Sequence, residues 1–347
     1  MADPLHRVET VDPIADPRWR QLVECHAEAT IFHHPAWMRL LRDQYGYAVS
    51  ALGVAAPGGA LVAGLPIATV TSRLTGARLV SLPFSDACAG LETGDAGTDV
   101  LLSEAIAAAV DTAGLGLEIR GDAAGMPRSQ TVRRFWVHRL LLSPDPQVVL
   151  RGCRPSIRRG VAKAQRTGLV GEWRTDPEGL RVFFDLHLQS RRRQGVPTQP
   201  KRFVLRFSEL FREGLGSVLV VRHGAAAIAA GVFLMCNRTL TYKYGASDAR
   251  HLGLRPNNLL FMEAIRWGCE HGCAVLDLGR TDLHNDGLRS FKRAWGSEES
   301  DLMYTYIGRS PPRLQPGPVE RLLATTIRRG PRALGRVVGA ALYKHVG

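Results

Sequence analysis

The sequence predicts an α/β (α+β) chain of two similar small domains. Each is a mixed, largely antiparallel sheet flanked by helices, and the two arise by internal duplication. Three observations predict this. At 347 residues the chain exceeds what one small core organises. The segment Gly59–Ala68 resembles Gly224–Leu234, at an offset of about 165 residues, near half the chain. Each segment is the second strand of a glycine-turned hairpin, and each is later followed by a helix and a buried strand. Domain limits then fall at 1–150 and 151–308, with a basic tail over 309–347.

His34 and Pro35 open a helical pattern with Ala36, Trp37, Leu40 and Leu41 on one face, closed by Gly46. From Gln44 to Ser72 no residue is charged, a run long enough to cross a bilayer. Pro57, Gly58 and Gly59 break it and Pro66 breaks it again, so it reads as two strands, Ala48–Ala55 and Ala60–Thr71, joined by a turn. Arg78–Pro83 is a short strand entering the loop Ser85–Gly90. Val100–Thr112 is an alanine-rich helix and Leu117–Arg120 a buried strand. In the second half, Ser156 is the candidate N-cap of a helix through Arg166, stopped at Thr167 and Gly168. Pro177–Gln194 and Lys201–Arg212 read as helices. Ser217–Arg222 and Ala226–Cys236 form a hairpin, and Thr239–Gly245 is a third strand. Asn257–His271 is a helix ended by Gly272, and Val275–Leu278 a short apolar strand. The tail starts as a Pro/Gly linker, Pro311–Pro318, and continues as a basic amphipathic helix, Val319–Tyr343, interrupted at Gly330 and Pro331.

With 45 Lys/Arg against 32 Asp/Glu, the net charge is +13, which favours polyanionic partners. The cations cluster: Arg151, Arg154, Arg158, Arg159, Lys163 and Arg166 in one run, Arg191–Arg206 in another, and the tail in a third. The six cysteines are scattered and no signal peptide opens the chain, so a reducing cytoplasm is expected. Cys269, His271 and Cys273 lack Cys-x-x-Cys spacing and a second pair, so no metal is expected. No Gly-x-Ser-x-Gly elbow, P-loop or Gly-x-Gly-x-x-Gly after a strand is present, which removes serine hydrolases, P-loop nucleotidases and dinucleotide enzymes.

The informative stretch is Thr241–Glu298. A strand, Thr241–Ser247, leads through a loop to a helix and then to the strand Ala274–Arg280. Strand, loop, helix, strand is how acyltransferases of the GNAT superfamily hold a donor, whose anionic oxygens meet the loop amides at the helix N-terminus. Acyl-CoA members carry Arg/Gln-x-x-Gly-x-Gly/Ala there. This chain has Arg250, Gly253 and then Arg255 in place of the final small residue, which would crowd a pyrophosphate.

The chain resembles the FemAB/FemX family, which is similar to two fused GNAT domains and transfers amino acids from aminoacyl-tRNA to an amine. Related chains are BioF2-like acetyltransferases. The resemblance rests on four segments: Phe32–Trp37, Ser156–Gly168, Tyr244–Ser247 with Pro256–Leu260, and Leu288–Gly296, whose Phe-Lys-x-x-Trp-Gly signature is the most specific. Together they span Phe32 to Gly296; the coiled-coil arm of some tRNA-using members is missing.

By that resemblance, Lys292 beside Phe291 stabilises the charge developing during acyl transfer. A fixed cation in a dry site lowers the barrier to a tetrahedral oxyanion; the opposing reading is a surface lysine. The family's arginine for acceptor phosphates matches Arg158 or Arg159, unless both are a solvated helix face. Its first-domain lysine has no match, and Arg39 or Arg42 stands in. Tyr242 and Tyr244 flank Lys243 and so share one strand face, placed to orient the acyl ester or the amine, or to pack. Asp86 is positioned to take the amine's proton or to shape its turn. Asp282 and His284 either line the site or form a loop.

The expected function is amide formation: an aminoacyl group moves from aminoacyl-tRNA to an amine on a small molecule or cell-wall precursor, with no cofactor beyond the activated donor. The tail is available for membrane contact. An acyl-CoA N-acyltransferase of the same fold and a non-catalytic module binding RNA or an anionic surface are the alternatives.

Overall fold

The uncharged run from Gln44 to Ser72 folds as the turn residues dictate, into two antiparallel strands pairing from Ala48↔Thr69 to Ala55↔Leu61. They belong to a computed structural model that describes residues 6–72, 75–313, 315 and 317–346. In chain order its elements begin with β1 (Arg7–Val11), α1 (Pro17–Cys25), α2 (Pro35–Tyr45), β2 (Ala48–Ala55), β3 (Leu61–Ser72) and β4 (Gly76–Val80). Next come α3 (Ala96–Ala113), β5 (Leu117–Ile119), β6 (Ser129–Leu141), α4 (Pro146–Gly152), α5 (Pro155–Arg166), β7 (Leu169–Arg174) and α6 (Pro177–Gln194). Then follow α7 (Lys201–Leu205), α8 (Phe207–Arg212), β8 (Gly216–His223), β9 (Ala226–Cys236), β10 (Thr239–Ser247) and α9 (Pro256–Glu270). The chain closes with β11 (Val275–Asp282), α10 (Asp286–Arg293), β12 (Glu298–Ile307), α11 (Pro318–Arg329) and α12 (Arg332–Val346).

Two compact units result. The first comprises Met1–Arg134, Asp301–Arg313 and Lys344–Gly347; the second comprises Phe135–Ser300 and Leu314–Tyr343. In the first, β1 to β4 are antiparallel neighbours, β4 lies parallel to β5 across the α3 crossover, and β12 pairs antiparallel with β5 through Thr305↔Ile119. Val54, Leu65, Leu102, Ile106, Leu117 and Ile119 form its core.

The second unit repeats this plan. Strands β7 to β10 are antiparallel neighbours, β10 lies parallel to β11 across the α9 crossover, and β6 pairs antiparallel with β11. Ile228, Phe233, Leu260, Phe261, Ile265 and Trp295 belong to its core. The duplicated hairpins are thus β2–β3 and β8–β9, turned at left-handed Gly59 (φ 85°) and Gly224 (φ 55°), a conformation glycine adopts at no steric cost.

The expected contiguous limits, 1–150, 151–308 and 309–347, do not describe these units, because the last strands are exchanged. The strand pairing with β5 is β12, from late in the chain, while β6, which follows β5 in sequence, pairs with β11. Two local expectations are also corrected. Helix α5 starts one residue before Ser156, with Pro155 in its first turn and Arg154 as N-cap, because proline fits the first helical position. Lys201–Arg212 is two short helices meeting at Arg206. The tail helix breaks at Gly330 and Pro331 as expected, and its stretch α11–α12 packs on the second unit: Tyr343 donates to the Pro197 carbonyl at 3.2 Å and the Thr198 amide to the Gly335 carbonyl at 3.1 Å. Leu314 and Pro316 of the expected linker lie outside the described residues.

Candidate active site

The site is built where β10 and β11 part. They pair in parallel at Thr239↔Val275, Leu240↔Leu276 and Thr241↔Asp277, and among the described residues no pair follows, although β10 continues to Ser247 and β11 to Asp282. Both strands are diverted beyond that point. Relative to β9, β10 shifts register between Tyr242 and Tyr244; relative to β6, β11 shifts between Asp277 and Arg280. The second bulge turns on Gly279, left-handed at φ 72°, whose amide donates to Asp277 Oδ1 at 2.7 Å. The end of β10 is held from α6: Ser190 Oγ accepts from the Ser247 amide at 3.0 Å, and Arg193 donates to the Ser247 carbonyl at 3.3 Å.

Lys292 is not a surface lysine. It is 2% exposed, and its Nζ donates to the carbonyls of Gly279 at 2.8 Å and Arg280 at 3.0 Å. Both carbonyls lie on the part of β11 beyond its last pair with β10. A buried ammonium is therefore fixed by charge-assisted hydrogen bonds to the stretch of β11 that follows its last pair with β10.

Beside it is a network that the sequence did not announce. Arg289, one helical turn before Lys292 on α10, forms a two-pronged ion pair with Glu299 at 2.8 and 2.7 Å and stacks at 3.9 Å over the Trp136 ring. The guanidinium lowers the Glu299 carboxyl to about 2. Glu299 Oε2 also meets Nε2 of His138 at 3.0 Å, and His138 is wholly buried. A carboxylate only accepts, so the imidazole proton sits on Nε2 and the buried Nδ1 is a lone pair without a hydrogen-bond partner. Burial first, and the Lys292 charge second, hold the His138 pKa below the ordinary imidazole value.

The two tyrosines do not share a face. Tyr242 lies opposite Phe233 and Tyr244 opposite Val232, so the bulge at Lys243 cancels the expected alternation. Tyr242 packs at 5.3 Å from Phe233 and 4.8 Å from Phe261 of α9, whereas Tyr244 packs at 5.8 Å from His187 of α6 and 6.0 Å from Phe207 of α8. The ring of Tyr242 lies over the cross-strand pair Gly231↔Gly245, where a Cβ on Gly245 would collide with its hydroxyl. Burial raises that phenol's pKa, so it stays protonated.

The other expected residues are placed as follows. Phe291 is half-buried and packs against the core, 5.6 Å from Phe261 and 6.4 Å from Trp295. Arg158 caps α4, donating to the Arg151 carbonyl at 2.9 Å and the Cys153 carbonyl at 3.1 Å, and Arg159 is exposed on α5. Arg255 is exposed and left-handed (φ 64°) immediately before α9, the backbone state that glycine holds more cheaply. His284 is exposed in the loop before Asn285, the N-cap of α10. Asp86 and Arg39 belong to the first unit, where the Asp86 carbonyl accepts from the Tyr304 hydroxyl at 2.7 Å and Arg39 is half-buried on α2.

Comparison with known proteins agrees with this architecture. Residues 151–293 match the acetyltransferase (GNAT) domain model. A lipid II:glycine glycyltransferase of Staphylococcus haemolyticus is 30% identical over 102 residues, covering 27% of this chain and 24% of that protein. The chain therefore spans about a quarter of the curated relative it matches. The crystal structure of FemX superposes with a TM-score of 0.68 at 14% identity, covering 86% of this chain and 97% of that one. A tandem GNAT protein from the clavulanic acid biosynthesis pathway superposes at 0.50 with 14% identity, covering 88% and 100%. The matched domain lies in the second unit, and the fold is that of tandem GNAT proteins. Within that fold, the chain is similar in sequence, over a quarter of its length, to a lipid II:glycine glycyltransferase and in architecture to FemX.

Proposed function

We propose that this protein forms an amide by moving an aminoacyl group from aminoacyl-tRNA to the amine of a cell-wall precursor. The observation that carries the reading is the buried Lys292 ammonium, fixed on the Gly279 and Arg280 carbonyls where β11 leaves β10. The amine nitrogen attacks the ester carbonyl carbon, and the carbonyl oxygen becomes an oxyanion facing the cation. The carbon–oxygen bond to the tRNA ribose then breaks, and the ribose oxygen takes the proton the amine gives up. A cation already in place needs no reorganisation, which is how such a group lowers the barrier. The matched glycyltransferase, named for lipid II, supports a cell-wall acceptor. For a lipid-linked acceptor, α11 offers Val319 (79% exposed) and Leu322 (69% exposed) next to Arg321 as a membrane contact. Charged tRNA places the reaction in the cytoplasm.

The GNAT domain match favours a second reading, with acyl-CoA as donor. Arg255 weighs against it, because an arginine rather than a small residue stands immediately before α9, where a pyrophosphate would approach the backbone. A donor screen decides between them: purified protein with charged tRNAs, then with acyl-CoAs, following free tRNA or free thiol. Product formation that survives ribonuclease treatment of the charged pool refutes the tRNA donor. A Lys292→Ala protein that keeps full turnover refutes the catalytic role, and one that binds RNA while the wild type turns nothing over identifies a binding module.

A further inference from the structure

A pocket of 210 Å³ lies between α10 and the start of α5, lined by Arg154, Asp286, Arg289, Ser290 and Arg293. Two separate elements build it. Asp286, Arg289, Ser290 and Arg293 recur at helical spacing on one face of α10, and Arg154 caps the start of α5. The Arg154 amide donates to the Ala294 carbonyl at 2.9 Å, which pins the start of α5 to the end of α10. The charge of Arg289 is already met by Glu299. Arg154 and Arg293 are exposed, and Asp286 is the lone carboxylate in the lining. Three arginines against Asp286 and the Glu299 partner of Arg289 leave the lining a net positive charge, which favours a bound anion. The Ser290 hydroxyl adds a neutral donor, and no side chain caps the first-turn amides of α5.

The cations continue beyond the pocket. Arg159, Lys163 and Arg166 are exposed along α5, so the basic track from Arg154 to Arg166 follows about 18 Å of helix. That is longer than a diphosphate reaches and suits the repeating phosphates of a polynucleotide. We propose that the pocket bounded by Arg154, Ser290 and Arg293 seats a backbone phosphate of the donor tRNA, and that the exposed face of α5 carries the strand onward. This rests on the aminoacyl-tRNA reading above.

The test is filter binding of uncharged tRNA to the full chain between 50 and 200 mM salt. Arg154→Ala/Arg293→Ala is expected to weaken binding about 10-fold at the lower salt and to reduce the slope of log K against log salt by about 1. Arg154→Lys/Arg293→Lys should recover most of both, since a lysine still contacts phosphate as a point charge. An unchanged unfolding midpoint in each variant excludes misfolding as the cause. Wild-type binding that the double alanine variant reproduces, slope included, overturns the pocket and leaves the donor reading standing. A variant that only raises KM for a diphosphate-bearing acceptor, with its tRNA slope intact, also overturns it. Failure of the wild-type protein to bind tRNA at all overturns the donor reading and the pocket together.

Discussion

Replacing Lys292 with methionine keeps the apolar stem and removes the ammonium. Two charge-assisted bonds, at 2.8 and 3.0 Å, are lost, and the carbonyls of Gly279 and Arg280 lose their partner. Each bond to a charged group contributes about 1.5–3 kcal/mol, and breaking a buried charged contact costs about 3–5 kcal/mol in total. Against a domain stability of about 5–15 kcal/mol, the variant should remain folded at 20 °C with a lowered denaturation midpoint. Loss of a fixed oxyanion donor should lower kcat by about 10²–10³, with KM for either substrate little changed. Urea denaturation and steady-state release of free tRNA measure the two effects separately. The two readouts matter because a merely structural lysine moves only the first. A folded Lys292→Met protein with kcat within threefold of wild type refutes the oxyanion role. One with an unchanged midpoint refutes the anchoring derived from β11.

Further outcomes test the surrounding geometry. The Glu299 pKa is depressed to about 2 in the folded state, so the carboxylate stabilises the fold above its ordinary value near 4.5, and this is lost as pH falls towards 2. Glu299→Gln should therefore be destabilised by about 1–3 kcal/mol at pH 7, with the gap to wild type closing by pH 2–3 in denaturant titrations. His138, whose pKa is also lowered, must stay neutral when folded, so wild-type stability should fall as pH drops through the ordinary imidazole range. Gly245→Ala drives a Cβ into Tyr242 and should cost about 1–3 kcal/mol, whereas adding Tyr242→Ala should recover part of that loss; strict additivity in thermal unfolding would refute the close approach. Arg255→Gly relieves a left-handed non-glycine residue and should stabilise by about 0.5–1 kcal/mol, while Arg255→Ala should not, as melting curves would show.

Elements whose pattern is local were legible. The hairpins β2–β3 and β8–β9 are continuous apolar runs broken by glycine turns, α6 spans Pro177–Gln194 as read, and α9 stops just before the expected Gly272. The strands β6 and β12 were not foreseen. Arg133, Arg134 and Arg139 interrupt the first, and Glu298, Glu299 and Asp301 open the second, so neither shows a clean period of two. Their charges are met instead by distant partners, as Arg133 meets Asp301 at 3.3 Å. Lys292 was visible through its signature, but its burial was not, since that depends on carbonyls exposed by a bulge at Gly279. His138 and Glu299 are 161 residues apart, and no local pattern joins them. The extra residue at Lys243 likewise carries no turn signal, and it reversed the facing of Tyr244 relative to Tyr242.

The traded terminal strands bear on how the protein is made. A ribosome has released the whole of β1 to β5 long before β12 exists, so the first unit must wait, with the β5 edge unpaired, until residue 307 emerges. Cutting the gene at 150 would yield one fragment whose sheet lacks its final strand and another lacking β6, and neither should be recoverable as a monodisperse product unless the two are co-expressed.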